Sequence, residues 1–328
     1  MKRREFIVGL GGAAAVWPLA ARAQQGGPVR RIGVLNSLAS NDSEGQTRIA
    51  AFVQGLQQAG WTVGRNLQID FRWAAGRVDD HRKLAMELIA LKPEVILATG
   101  SAATAPLHAV STVPVVFVNV IDPVGAGFVE SLARPGGNAT GFTQFEYSTS
   151  GKWLELLKEI APRVTRVAVL RDSALPSGLG QFAAIQSAAP RLGMEVKPIN
   201  VRSTAEIERG LVAFAGAPNG GLIVTGSSST VLHRTLIVGL ASRLKMPAVY
   251  NQRFFVREGG LISYGPDLHD QYRLAAGYID RILKGEKAAD LPVQTASKFE
   301  LVINLKSAKA LGLSVPLILQ QRADEVIE

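Results

Sequence analysis

Cysteine is absent from this sequence of 328 residues. No disulfide framework can hold the fold, so the hydrophobic core must do so alone, and no thiolate is available as a nucleophile. Histidine is rare, and no histidine falls in an H-E-x-x-H or other paired metal-ligand spacing. We interpret the histidines as surface or helix-face residues and predict no metal site. They are His81, His108, His233 and His269.

Motifs that support catalysis are missing as well. There is no Gly-x-Ser-x-Gly nucleophile elbow, because Gly226-Ser227-Ser228 continues into Ser229, and there is no Gly-x-x-x-x-Gly-Lys-Ser/Thr phosphate loop. Scattered carboxylates could form an acid/base pair only if the fold brought them together. The sequence therefore predicts no catalytic residue and no cofactor, and an enzyme is the less favoured class. These carboxylates include Glu146, Asp172 and Asp267.

Basic residues are in excess but are not clustered. The formal net charge is +9, and no nucleic-acid reading element accompanies it, so we interpret the charge as solvated surface and predict no nucleic-acid partner. Hydrophobic residues make up 47% of the chain, which is enough to build the cores of two domains.

The first 23 residues have the three parts of a cleaved export signal. A short basic start precedes a weakly apolar stretch at 7–20, and Ala21-Arg22-Ala23 supplies a small-x-small cleavage site. The stretch is too short and glycine-rich to span a membrane, which takes about 20 apolar residues. We therefore expect the mature chain, with a formal charge of +6, in the periplasm.

The basic start also indicates an export route. Arg3-Arg4 followed by Phe6 is typical of a twin-arginine signal, which we favour over an ordinary Sec signal. The same segment contains Gly9-x-Gly11-x-x-Ala14, which fits a dinucleotide fingerprint. That fingerprint needs a βαβ unit and an acidic residue about 20 positions on, and this segment runs into the cleavage site instead.

Short β-branched runs alternate with amphipathic helical stretches along the rest of the chain. This pattern predicts an α/β fold of two Rossmann-like lobes, each with a parallel sheet flanked by helices. Three local matches suggest an internal duplication, although two unrelated parallel-sheet domains could share such sequences. The matched segments are 31–35 with 166–170, 99–104 with 225–230, and 114–119 with 247–251.

Loops at the carboxyl ends of the strands are expected to line a cleft between the lobes, because that is where open parallel sheets bind ligands. Asn36 stands at one such end. Ser101 and Ser227 each follow a glycine between a strand and a helix, where a hydroxyl and free N–H groups could receive a carboxylate. Either serine could instead be a plain N-cap. Asp122 could receive a ligand ammonium or simply form a turn before Pro123.

Several motifs closely resemble those of bacterial ABC-transporter substrate-binding proteins, a family that includes the receptors of aromatic amino acid importers. They cover nearly all of the mature chain in the expected order. The motifs are Asp122-Pro-Val-Gly-Ala-Gly-Phe128, Ser131-Leu-Ala-Arg-Pro-Gly-Gly-Asn138, Thr140-Gly141, Lys152-Trp-Leu-Glu-Leu-Leu-Lys-Glu-Ile160, Ser263-Tyr-Gly-Pro-Asp267, Asp280-Arg-Ile-Leu-Lys-Gly285, Asp290-Leu-Pro-Val-Gln294, Lys298-Phe-Glu-Leu-Val-Ile-Asn304, Lys309-Ala-Leu-Gly-Leu313 and Arg322-Ala-Asp-Glu-Val-Ile-Glu328.

The resemblance implies a type I periplasmic binding fold whose lobes are joined by a three-crossing hinge. Lobe 1 would comprise 30–142 and 265–297, and lobe 2 would comprise 143–264 and 298–328. It also implies a monomeric periplasmic receptor that captures a small carboxylate-bearing solute, an amino acid or an aromatic acid, and delivers it to an ABC permease and its ATPase. A ligand-sensing module for a regulatory partner and an exported enzyme remain as alternatives.

One segment departs from the family pattern. Many relatives have an aromatic-Pro-Phe run where this chain has Asn251-Gln252-Arg253 after Tyr250. This polar replacement puts an inherited ligand identity in doubt. Tyr250 could still stack on a ring and Asn251 could bind a polar group, or the loop could make no contact.

Overall fold

Two β-sheets are built by the part of the chain that the computed structural model describes, which is residues 28–328 without 78, 111 and 297. The predicted export signal at 1–23 lies outside these residues. The strands are β1 (Arg30–Asn36), β2 (Leu67–Trp73), β3 (Val95–Thr99), β4 (Val115–Val120), β5 (Ala139–Thr143), β6 (Arg166–Arg171), β7 (Glu195–Asn200), β8 (Gly220–Val224), β9 (Ala248–Tyr250), β10 (Ile262–Pro266), β11 (Gln294–Thr295), β12 (Phe299–Asn304) and β13 (Glu325–Ile327).

Helices cover both faces of each sheet. They are α1 (Ser43–Gln58), α2 (Asp80–Ala90), α3 (Ser101–Val110), α4 (Gly151–Ile160), α5 (Pro176–Ala188), α6 (Thr204–Ala215), α7 (Ser228–Leu232), α8 (Arg234–Arg243), α9 (Arg253–Arg257), α10 (His269–Leu283), α11 (Leu305–Ala310) and α12 (Leu317–Gln321). Among the described residues, no helix is both long and apolar enough to cross a bilayer.

The two sheets repeat one topology. The first has the order β11-β5-β4-β3-β1-β2, with every neighbouring pair parallel. The second has the order β13-β12-β10-β9-β8-β6-β7, in which only the β10–β12 pair is antiparallel among the described strands. The series β2-β1-β3-β4-β5 of the first sheet therefore recurs as β7-β6-β8-β9-β10 in the second. The predicted α/β fold is confirmed, and the antiparallel pair is an addition that the sequence did not predict.

Both faces of each sheet are buried, which explains the continuous apolar runs. Successive strand residues point to opposite faces. Ile32 and Val34 pack on one face with residues of α1 and α10, whereas Leu35 packs on the other with residues of α2 and α3. In β6, Val167 and Ala168 divide between two cores in the same way.

The chain passes between the sheets three times. It leaves the first sheet after Thr143, returns from the second after Pro266, and leaves the first again after Thr295. Gln271 of α10 ties two strand ends together near these passages. Its side chain accepts from the Asn119 N–H at 3.2 Å and donates to the Thr143 carbonyl at 3.0 Å.

Gly141 allows β5 to approach β4 closely. Its φ is +149°, and a Cβ at this position would lie 1.9 Å from the Phe117 carbonyl oxygen. The register of the two strands shifts between Phe117 and Val120. Only glycine fits this approach without moving the backbone.

One predicted helix is divided. The apolar pattern predicts a single helix over 230–244, but α7 ends and α8 begins at His233, where φ is −96° and ψ is 16°. Because apolar residues continue at helical spacing on both sides, periodicity alone does not reveal the break.

Candidate functional site

A cavity lies between the carboxyl ends of the two sheets. The space within it, including the part open to solvent, is about 560 Å³. Residues that follow β1, β3 and β4 line one side, and residues that follow β6, β8 and β9 line the other. In each sheet the order of strands reverses next to β1 or β6, so the cavity occupies the place where doubly wound sheets bind ligands.

The first-sheet wall is held by Thr99 at the end of β3. The Ser37 N–H donates to Thr99 Oγ1 at 3.0 Å, and the Ser37 hydroxyl donates to the Thr99 carbonyl at 2.5 Å. Asn36 Oδ1 accepts from Thr99 Oγ1 at 3.2 Å and from the Leu38 N–H at 2.9 Å. Ser37 lines the cavity, while Asn36 stands one layer behind it and orders the loop.

His81 supports Ser37 from behind. It is buried, with Nδ1 2.9 Å from the Arg77 carbonyl and Nε2 3.0 Å from Ser37 Oγ. The carbonyl can only accept, so Nδ1 carries a proton. This histidine therefore has a structural contact with the cavity wall, which its position in the sequence did not predict.

On the second-sheet wall, Gln181 holds the loop before Ser227. Its amide accepts from the Gly226 N–H at 2.8 Å and donates to the Gly226 carbonyl at 3.1 Å. Ser227 caps α7 in a reciprocal pair with Thr230, accepting from its N–H at 3.1 Å. Ser227 also lines the cavity, so the residue combines the two predicted roles of cap and wall.

Ser101, at the start of α3, is the corresponding serine of the first sheet. Its side chain is 9% exposed and lines the cavity, and its Oγ accepts from the Ile121 N–H at 3.4 Å. Gly100 before it has a φ of +86°, which is the reason that a glycine precedes the helix.

Arg48 is the lining residue that the sequence did not reveal. It lies on α1, only 3% exposed, and its guanidinium stands over the Phe254 ring at 5.8 Å. Its Nη2 donates to Glu44 Oε2 at 3.4 Å, while its Nε is buried without a hydrogen-bond partner. The sequence pattern could have indicated this residue, because Arg48 is a charged residue on the buried stripe of α1 that includes Phe52, where an apolar residue is expected.

Tyr272 of α10 lies beside this arginine. Burial raises the pKa of its hydroxyl, and the positive charge of Arg48 and a hydrogen bond with Thr99 act in the opposite direction. The hydroxyl therefore stays protonated and links the Arg48 side of the cavity to the end of β3.

Several polar atoms around the cavity are buried without a hydrogen-bond partner. Leaving such an atom unpaired costs about 1–3 kcal/mol, so a cluster of them indicates a place for a ligand. Asn119 also has a positive φ of +58°, which turns the backbone at the end of β4 towards the cavity. The atoms are Arg48 Nε, Asn119 Oδ1, Asn251 Oδ1 and Gln252 Nε2.

Three of the six predicted contacts, Asn36, Asp122 and Tyr250, lie outside the cavity wall. Asp122 closes its own turn, with Oδ1 accepting from the Gly125 N–H at 2.8 Å and Oδ2 from the Tyr147 N–H at 3.5 Å. Burial, together with the Asp122 charge, raises the pKa of Tyr147 to about 12. Tyr250 is stacked on Phe255 in the core, with ring centroids 5.0 Å apart, and burial raises the pKa of its hydroxyl. Ser101, Ser227 and Asn251 are the predicted residues that meet in the cavity wall.

A family model described as ABC transporter substrate binding protein matches residues 32–327. The chain belongs to this family. The family is one of solute-binding proteins, in agreement with the resemblance seen in the sequence.

Similar proteins agree with this assignment. A tyrosine-binding protein of Clostridioides difficile (strain R20291) is 26% identical over 263 residues, which are 80% of this chain and 75% of the relative. An ABC domain from Streptococcus pneumoniae, solved in complex with L-Trp, is 26% identical with a TM-score of 0.83 over 91% of this chain and 99% of that one. A conserved domain protein from Vibrio cholerae, 24% identical with a TM-score of 0.84 and the same two coverages, shares the fold. The fold is the type I periplasmic binding fold that the resemblance implied.

Proposed function

We propose that this protein is the periplasmic receptor of an ABC importer and captures a small carboxylate-bearing solute in the cavity between its sheets. The observation that carries the proposal is the cavity between the sheets, whose wall includes a buried arginine and several polar atoms without partners. A carboxylate would supply the missing partners for Arg48 Nε and Gln252 Nε2. The tyrosine-binding relative and the L-Trp complex support an amino acid or an aromatic acid as the solute.

Closure of the lobes would complete the site. We take 30–142 with 265–297 and 143–264 with 298–328 as the two moving bodies, joined at the three passages. The cavity receives residues from both, so binding would favour the closed arrangement through contacts that the open form lacks. In support, the TM-score is 0.83 to the L-Trp complex and 0.65 to a ligand-free, open substrate-binding protein of Clostridium difficile.

Delivery would follow capture without chemistry on the solute. The export signal predicted at 1–23 would bring the chain to the periplasm, where, as a monomer, it would present the loaded solute to a membrane permease driven by an ATPase. No cofactor takes part in this proposal.

A melting screen of the mature chain tests the proposed class of solute. The panel contains amino acids, aromatic acids and short aliphatic carboxylates, with neutral sugars as controls. A true ligand at a free concentration of 100 times its Kd should stabilise the protein by about 2.7 kcal/mol. If no carboxylate raises the melting temperature above the sugar controls, the proposal is wrong.

A further inference from the structure

We propose that the solute is an organic acid without a free ammonium group, bound through its carboxylate at Arg48 and through a neutral donor group of its own at Asn119 or Asn251. This inference rests on the proposed function and narrows its substrate class. An amino acid would be a poorer ligand than the matching acid that lacks the amino group.

The charge of the cavity wall favours an anion. Among the lining residues in the described part of the chain, Arg48 is the sole charged side chain, and none is aspartate or glutamate. The wall thus offers a positive charge to a carboxylate and offers no negative charge to an ammonium. A buried charge without an opposite charge or a full set of hydrogen bonds is strongly disfavoured.

Three carboxylates that are close to lining residues in the sequence lie outside the wall and have partners of their own. Asp122 accepts the N–H groups of its own turn, as described above. Asp172 is fully buried, and its two oxygens accept from the Ser229 hydroxyl at 2.7 Å and the Ala174 N–H at 3.0 Å. Glu44 faces Arg48 at 3.4 Å from outside the wall. Since none of these carboxylates lines the cavity, an ammonium there would meet no negative charge in the wall.

The unpaired atoms divide into donors and neutral acceptors. Arg48 Nε and Gln252 Nε2 are donors, which match the two oxygens of a carboxylate. Asn119 Oδ1 and Asn251 Oδ1 are acceptors, which match a hydroxyl or a ring N–H. Exchanging the oxygen and nitrogen of either asparagine amide changes which atom faces the ligand, but it creates no negative charge.

The rest of the wall suits an apolar carbon skeleton. Apolar side chains from both sheets border the cavity, and the Phe254 ring lies next to the guanidinium. An aromatic or aliphatic carbon skeleton would replace water at these surfaces favourably. The apolar lining residues are Leu38, Ile121, Leu175, Val231, Phe254 and Leu268.

Isothermal titration with matched pairs of ligands tests the inference. The pairs are L-tyrosine with 3-(4-hydroxyphenyl)propanoate, L-tryptophan with 3-(indol-3-yl)propanoate, and L-phenylglycine with phenylacetate, so that three sizes are compared. Tyramine, which has the ammonium without the carboxylate, serves as the control. In each pair that binds, we expect the acid without the amino group to bind at least tenfold more tightly, and we expect tyramine not to bind.

A negative charge added to the wall provides the second test. Asn251→Asp keeps the shape of the side chain and adds a negative charge beside the cavity. In this variant the ratio of affinities within a pair should shift at least tenfold towards the amino acid. A role of Asn251 in packing alone would weaken both members of a pair equally and leave the ratio unchanged.

The outcomes separate this inference from the proposed function. Equal or tighter binding of the amino acids by the native protein, or an unchanged ratio in Asn251→Asp, overturns the inference and leaves a carboxylate receptor. Binding of tyramine alone, or of no member of the panel, overturns the proposed function and the inference together.

Discussion

Arg48 places a positive charge at a position where the helical pattern of α1 calls for an apolar residue. It is buried, its ion pair with Glu44 is long at 3.4 Å, and its Nε is unpaired. A group in this state is not optimised for stability alone, because a buried charge needs close partners. On the proposed function, an anion in the cavity would complete its environment.

Replacing Arg48 tests this role. Arg48→Gln should weaken binding of the carboxylate ligand by about 2–5 kcal/mol, which is roughly 30-fold or more, since a desolvated charge pair loses one partner. Arg48→Lys should recover only part of the loss because the ammonium lacks the planar fork of donors. Titration calorimetry measures both. Arg322→Gln, at an exposed pair with Glu159, is the control and should bind as the native protein does.

We expect Asp122 to stabilise the fold and not to bind the ligand. It has a φ of +43° and accepts two backbone N–H groups, so Asp122→Ala loses these bonds and places alanine in an unfavourable conformation. Urea denaturation should show a fall of about 1–3 kcal/mol in the free energy of unfolding. Ligand affinity should stay within about twofold of the native value. A large loss of affinity at unchanged stability would restore the ammonium-binding role that the sequence allowed.

The six contacts predicted from sequence show how well a position at the end of a strand indicates a residue that lines the cavity. Ser101, Ser227 and Asn251 line the cavity because a residue just beyond a parallel strand lies near the crevice. Tyr250, one position earlier, is still in β9, and its ring turns into the core against Phe255. The side to which such a residue points depends on the end of the strand to within one residue. Sequence does not determine that boundary so finely.

At the scale of elements, the close approach of β4 and β5 leaves little tolerance for a larger residue. The position of Gly141 combines a positive φ with a carbonyl 1.9 Å from the place of a Cβ. Gly141→Ala should lower the free energy of unfolding by about 3 kcal/mol or more, because the backbones must separate. Thermal and urea unfolding measure the loss.

A second glycine serves as the matched control. Gly239 lies in the interior of α8, and a Cβ there would meet nothing within 4 Å. Gly239→Ala should therefore stabilise the protein by about 0.5–1 kcal/mol. Equal effects of the two substitutions would contradict the role of close approach.

Elements with strong apolar runs could be predicted from sequence, and those with mixed composition could not. The strands β1, β3, β4, β6 and β8 were recognisable from their β-branched residues. The strand β5 has the sequence Ala-Thr-Gly-Phe-Thr, whose glycine weakens the strand pattern, and it is a strand because it pairs with β4. The break at His233 was missed because periodicity reports the buried face of a helix and not its continuity.

Over the whole molecule, an ion pair links the loop that follows β1 of the first sheet to α8, which packs on the second sheet. Arg234 of α8 donates to Asp42 Oδ2 at 2.6 Å, and the same guanidinium donates to Glu258 at 2.6 Å. Asp42 precedes α1, so the pair bridges the two sheets. Its groups are mostly buried, with side-chain exposures of 19% and 9%, so salt screens this pair less than a surface pair.

Removing this bridge should favour the open arrangement. Asp42→Asn keeps the amide oxygen that can cap α1 but loses the charge, which should weaken the closed form by about 1–3 kcal/mol and lower the apparent affinity about fivefold or more. Small-angle scattering should show a larger radius of gyration at sub-saturating ligand. Glu286→Gln, at the exposed Arg281 pair within one lobe, is the control and should change neither quantity. An unchanged affinity in Asp42→Asn would contradict the bridging role.

Asp42 accepts hydrogen bonds from both α1 and Arg234, and this pair of contacts affects how long a solute stays bound. One carboxylate oxygen caps α1 through the Gly45 N–H at 2.9 Å, and the other holds Arg234. Arg48 is carried by the same helix, less than two turns further on, so Asp42 and the proposed solute-binding group move together with α1. On the proposed mechanism, a captured solute cannot leave while the protein stays in the closed arrangement. Its residence time is then set by the rate at which the lobes part, and ligands that differ in affinity would escape through the same opening step.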